Sequence, residues 1–192
     1  MKENKEKKRW GLILFIIFMM VGTSFSFVFF GFSGASENVK DRGIKFTKYP
    51  DRWEAKINGK YAAFSFLPSE VEDIFVQGES SNALKDKLEI DFTYDLNDTH
   101  GQSIALAQHQ MELTLAVYDI FLRKGLTTNN SFDIPIITCK DATLAVPVLY
   151  FRQGNMTSIK IEGSCVIAEA SKNTDFIRVK DRLAYGMLEI LK

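Results

Sequence analysis

Between Arg9 and Glu37 the chain carries no charged side chain, and from Trp10 to Phe32 it reads WGLILFIIFMMVGTSFSFVFFGF. The only interruptions are small residues, or hydroxyls that can bond back to the preceding helical turn. At about 1.5 Å of rise per residue, a helix over residues 10–32 would cross a hydrocarbon core of roughly 30 Å. A run of 27 uncharged residues exceeds what a buried helix needs in a chain of 192, so it predicts a transmembrane helix. Residues 1–9 hold five basic side chains (Lys2, Lys5, Lys7, Lys8, Arg9) against Glu3 and Glu6. Basic residues beside a first span stay cytoplasmic, which predicts a single-pass protein of the cell membrane with its bulk outside. Ser33-Gly34-Ala35 has the small residues of a signal-peptidase site, but the apolar run outlasts the 7–15 residues of a signal h-region. The expectation is an uncleaved signal anchor, and the absence of a cysteine directly after it excludes a lipoprotein anchor.

The division that follows is a basic cytoplasmic tail over 1–9, a transmembrane signal anchor over 10–32, a short joint over 33–42 and an extracytoplasmic α+β domain over 43–192. The tail leaves 19 of the 24 basic and 22 of the 24 acidic side chains for residues 37–192. That balance excludes a basic nucleic-acid-binding domain and a disordered polyelectrolyte.

The domain opens as a β-meander. Ile44 and Phe46 alternate with polar residues, and Tyr49-Pro50-Asp51-Arg52 reads as a turn. Asn58-Gly59 joins RWEAKI to KYAAFSFL as a two-residue hairpin. Counting outward pairs Ile57 with Lys60, Ala55 with Ala62 and Trp53 with Phe64, giving one apolar face. Ser69 and Glu72 have capping-box spacing after Pro68. In LEIDFTYDL, Leu88, Ile90, Phe92, Tyr94 and Leu96 alternate with Glu89, Asp91, Thr93 and Asp95, the pattern of a half-buried strand with a solvated acidic face. A helix is expected over residues 102–124 and another over 175–191, with strands in FDIPIITC, VPVLYFRQ and TSIKIEGSCVIAEA, the last two closed at Gly154-Asn155. These elements predict a mixed sheet packed by two helices.

Cys139 and Cys165 are the only cysteines, and in an oxidising exterior they are expected to form a structural disulfide. Two free buried thiols, or a redox or metal pair, are the alternatives, although no C-x-x-C and no neighbouring histidine completes a ligand set. Asn97, Asn129 and Asn155 head N-x-[S/T] sequons in expected loops, as N-glycosylation requires. His100 precedes the first helix and His109 lies two turns into it. Glu89, Asp91, Asp95 and Asp98 could offer oxygens to a hard cation, but neighbours on one strand face lie nearly 7 Å apart. The sequence carries no G-x-S-x-G, H-E-x-x-H or phosphate-loop motif, and it identifies no catalytic residue, metal site or cofactor.

Ala145 to Leu188 resembles the second half of a thioredoxin fold, through Val146-Pro147-Val148 at a strand start, the Gly154-Asn155 turn, a second strand and a terminal helix. That resemblance implies a cis-proline position at Pro147. It comes without the redox dithiol at the head of the first helix, so it implies topology alone. NGKYAAFSFLPSEVEDI, IPIITCKDATLAVPVLYFRQGNMTSIKIEGSC and DRLAYGMLEIL resemble small archaeal membrane-anchored proteins of unknown function. This second resemblance implies an exterior domain with a cysteine pair and no activity. The reading reached is a membrane-anchored binding or assembly domain, held in the membrane by its N-terminal helix and engaging another envelope protein or a glycan, but no nucleic acid. The alternatives are an envelope enzyme using the acidic strand with His100, and a thioredoxin-like redox protein using Cys139 and Cys165.

Overall fold

A computed structural model describes residues 10–11, 13–21, 37–78 and 80–192. Residues 10–11 and 13–21 are helical (α1) and exposed. Eleven described helical positions account for about 17 Å of rise, short of a hydrocarbon core of roughly 30 Å. Among the described residues no helix is long and apolar enough to cross a membrane. This overturns the expected transmembrane helix over 10–32, and with it the signal anchor, the single-pass topology and the cell-membrane localisation. Residues 1–9 and 22–36, which carry the expected tail and the rest of that run, lie outside the described residues.

A separate compact unit spans Glu37–Lys192. Its first sheet is an antiparallel meander of β1 (Asn38–Asp41), β2 (Ile44–Lys48), β3 (Trp53–Ile57) and β4 (Lys60–Phe64), in sequence order. The β3–β4 register pairs Trp53 with Phe64, Ala55 with Ala62 and Ile57 with Lys60, as the Asn58-Gly59 turn dictates. Both turn residues have positive φ, 51° and 83°, which is why Asn-Gly suits the position. The strand β1 occupies part of the expected joint. After β4, a short helix α2 (Pro68–Val71) is capped differently from expectation: Leu67 N donates to Glu70 Oε2 at 2.6 Å and Ser69 N to Asp41 Oδ2 at 2.9 Å.

The second sheet is mixed. Its strands are β5 (Phe75–Val76), β6 (Glu89–Tyr94), β7 (Phe121–Lys124), β8 (Val148–Gln153), β9 (Ser158–Glu162) and β10 (Cys165–Ala170), in the order β5-β9-β10-β8-β6-β7. The pairs β6/β7, β6/β8, β8/β10 and β5/β9 are parallel, and β9/β10 is antiparallel. Two long helices, α3 (Gly101–Ala116) and α4 (Asn173–Met187), pack on it and on each other.

Three expectations need correction. The helix expected over 102–124 stops at Ala116; Asp119 takes a positive φ of 61°, and Phe121–Lys124 turns back as a strand parallel to β6. FDIPIITC is a loop with one bridge, Leu126 to Ile136, because the Asn130 side chain takes up its backbone groups, accepting from Phe132 N and donating to Ile134 O. The strands β8 and β9 do not form a hairpin at Gly154-Asn155, since β10 lies between them. No peptide bond among the described residues is cis, including that of Pro147.

One core joins both sheets through the helices. Tyr185 of α4 stacks on Phe64 at 4.4 Å and meets Phe46 edge-on at 6.3 Å, tying the meander to the helix layer. On the other side, Phe92 and Phe151 lie 4.6 Å apart and Phe151 reaches Phe176 of α4 at 6.3 Å. A smaller cluster of Ile137, Val148, Cys165 and Ile167 fills the far face of the mixed sheet.

Candidate functional site

The acidic strand is not a solvated face. Asp91 is buried, and Arg123 of β7 clasps it with Nε at 2.6 Å and Nη2 at 2.7 Å, while Glu89 stands 3.4 Å from the same guanidinium. Hydrogen bonding to Asp91 raises the Arg123 pKa, against a smaller opposing effect of burial. Thr93, also buried, donates from Oγ1 to Ile137 O at 2.7 Å. Asp95 accepts from Asn97 N and Asp98 accepts from His100 N and Gln153 N, so Glu89 and Asp91 share Arg123 while Asp95 and Asp98 have partners of their own. Among the described residues no group of three or more His, Cys, Asp or Glu is placed to hold a metal ion.

His100 sits at the N-terminus of α3, beyond the carboxyl ends of β6 and β8. Its Nδ1 lies 3.4 Å from Asp98 Oδ1 and 3.0 Å from Thr99 Oγ1, and its ring is 5.7 Å from that of Phe176. His109 is exposed and pairs at 3.8 Å with Glu112. The fold separates the two histidines, one at the end of the sheet and one exposed on α3 in the lining of a groove between β4 and α3.

Cys139 and Cys165 form a disulfide with Cα atoms 5.2 Å apart. Cys165 lies in β10 and Cys139 in a 3-10 turn, so the bond pins the 125–147 loop over the far face of the mixed sheet. Asn97, Asn129 and Asn155 are all exposed and lie outside strands and helices.

The feature that sequence reading missed is polar and buried. The α4 residues Lys180, Asp181 and Arg182, three consecutive charged side chains, are each no more than 4% exposed. Covering α4 on both sides, by the meander and by the mixed sheet, buries them. Asp181 Oδ2 accepts from Ser65 N at 2.8 Å and Phe66 N at 2.9 Å, and Oδ1 accepts from Lys180 Nζ. Burial raises the Asp181 pKa, opposed by Lys180 and by those two amides. Burial also lowers that of Arg182, which donates from Nη2 to Lys192 O. A hint was available: Gly186, in the last turn of α4, marks a close approach, since a Cβ there would collide with the Ser81 side chain.

Lys180 is also among the residues that line a groove of about 460 Å³ between β4 and α3. Tyr61, Ala63 and Ser65 form one wall; Leu106, Gln110 and Leu113 form the other. The β2–β3 turn adds Asp51 and Arg52 at the mouth. The walls are tied by Thr114 Oγ1 donating to Ala63 O at 3.2 Å and by Ser65 Oγ donating to Gln110 Oε1 at 3.2 Å. Tyr61, Leu106 and Leu113 stay exposed on its rim.

Fold and site together define an α+β domain in which a helix layer separates a meander from a mixed sheet and one helix forms a groove with the meander's edge. No protein-family model matches this chain, no curated protein matches it, and no solved structure matches its fold.

Proposed function

We propose that residues 37–192 form a binding module whose ligand surface is the groove between β4 and α3. The observation that carries this reading is the groove itself: its volume of about 460 Å³ combines an apolar rim with polar side chains of both charges, Asp51, Arg52 and Glu54, in its lining. Ligand sites of this size pair apolar walls with a few fixed polar groups. A fragment library screened by NMR against the full chain tests it. Resonance shifts should cluster at Tyr61, Leu106 and Leu113 and should vanish in Ala63→Trp, which fills the groove. Shifts clustering elsewhere, or persisting in that variant, overturn the reading.

A second reading, acid–base catalysis by His100 with Asp98, draws on one observation. The chain passes from β6 through α3 to β7 on one side, while β8 lies on the other side of β6. Crevices at such reversals, outside the carboxyl ends of parallel strands, are common ligand sites. Ligand shifts centred on His100 and lost in His100→Ala would favour it.

A further inference from the structure

We infer that the C-terminal turn of α4 carries a binding site for a small oxyanion, a carboxylate or a phosphate, held by Arg182 and Ser81. The site shares no lining residue with the β4–α3 groove and stands or falls without it. Among the described residues, three buried side-chain polar atoms have no hydrogen-bond partner: Ser81 Oγ, Arg182 Nε and Arg182 Nη1. All three belong to one place. Ser81, 8% exposed, lies in the 3-10 turn Ser80–Leu84, and Arg182, 4% exposed, lies on α4. They meet at Gly186, where a Cβ would collide with the Ser81 side chain and stand 3.7 Å from Arg182 Nη1.

The other buried charges of the domain are answered within it: Asp91 by Arg123, Asp181 by Lys180 and Glu169 by Arg152. Arg182 is not. Among the described residues no carboxylate side chain pairs with it, and its one hydrogen bond runs from Nη2 to Lys192 O. Whatever charge that oxygen carries, Nε and Nη1 stay unmet. A guanidinium has no acceptor atom, so its ligand must accept, and a buried cation without a partner selects an acceptor of negative charge. An oxyanion accepts from Nη1 and from the Ser81 hydroxyl together. Entry is from an open cleft of about 700 Å³ whose charged lining is Arg42, Glu72, Asp73, Arg182 and Lys192. Glu72 is taken by Arg42 and Asp73 by Arg178, which leaves Arg182 and Lys192 as the cleft's charges without an acidic side chain among the described residues. Both donors are buried, so admitting the ion moves the side chains of Ser81 and Arg182, and only a small ion fits between them.

The test titrates the full 192-residue chain with sodium phosphate and, separately, with sodium acetate, to about 10 mM and with chloride holding the ionic strength constant. NMR follows the Arg182 Nε–H and Ser81 N–H resonances, and thermal unfolding follows stability. At least one ion should shift both resonances with a Kd of about 1 mM or tighter, and 10 mM of it should then raise the folding constant about tenfold. Response to phosphate alone assigns a phosphate ligand, and response to acetate alone a carboxylate. Arg182→Met removes the buried charge as well as the donors, so it should fold and lose the response to either ion. Ser81→Ala should weaken binding about tenfold, the loss of one hydrogen bond to a charged group, and it decides alone if Arg182→Met fails to fold. No response to either ion, an equal response to chloride, or a response unchanged in these variants would overturn the inference.

Discussion

The two faces of the mixed sheet are buried by different means. Toward the helices, Ile90, Phe92, Leu149, Phe151, Val166 and Ala168 meet α3 and α4 in an aromatic and aliphatic core. On the far face the same strands offer Asp91, Thr93 and Glu169, each held by a partner: Arg123, the carbonyl of Ile137, and the pair Arg152 and Lys160. A disulfide closes that face where the helix side needs only packing. The near face should therefore lose stability in proportion to the volume removed. The far face should lose most when one member of a pair is left behind without its partner.

The largest effect belongs to the near face. Phe151→Ala removes a fully buried ring and its contacts with Phe92 and Phe176, and should cost about 4 kcal/mol in chemical denaturation. A loss below about 1 kcal/mol would show that this face tolerates cavities and would remove the contrast.

Opening the disulfide comes next. Cys139 and Cys165 are 26 residues apart, and replacing both by serine should cost about 3 kcal/mol on the chain-entropy account. Hydrogen exchange should then rise in the 125–147 loop while β6 and β8 stay protected. Exchange spreading evenly over both faces would mean that the far face is not an independent layer.

The Asp91–Arg123 pair sharpens the comparison. Asp91 is about 1% exposed whereas the Arg123 side chain is 49% exposed, so the two losses are unequal. Arg123→Ala leaves a buried carboxylate uncompensated and should cost about 2 kcal/mol. Asp91→Asn leaves a guanidinium that can turn to water and should cost less. Equal losses from the two variants would contradict the account.

The smallest effect is a pH dependence. Burial would raise the Glu169 carboxyl, but hydrogen bonds from Lys160 and Arg152 hold it below its ordinary value. A depressed carboxyl contributes stability that is complete above its unfolded value of about 4.3 and lost as pH falls through the folded one. Glu169→Gln should cost about 1 kcal/mol at neutral pH, with the gap to the parent protein closing in acid. Asp181, raised by burial, has the opposite sign: its contribution is present below the unfolded value of about 3.9 and lost as pH rises through the folded one. A gap for Glu169→Gln that stays constant with pH would show that the carboxylate's charge is not what stabilises this face.

The meander was legible because a two-residue turn fixes everything around it. Asn58-Gly59 admits one register, and the pairs down to Trp53–Phe64 follow from counting. Alternation in β6 was legible too, but which side lay in water was not. Asp91 and Thr93 are polar and buried because a distant loop, tied down at Cys139, covers them. The groove was not legible at all, since Tyr61, Leu113 and Lys180 come from three separate elements.

By itself the sequence determined the local pieces: the Asn58-Gly59 hairpin, the starts of the two long helices, the cysteine pair and the alternation within β6. Those depend on backbone preferences and on side-chain periods of two and 3.6, which act over a few residues. The tertiary structure alone decided the strand order with β10 between β8 and β9, the turning of Phe121–Lys124 from helix to strand, and the burial of Lys180 and Asp181. Each of these depends on what covers an element's second face. A period in the sequence marks which residues share a face, but the cover arrives from residues far along the chain.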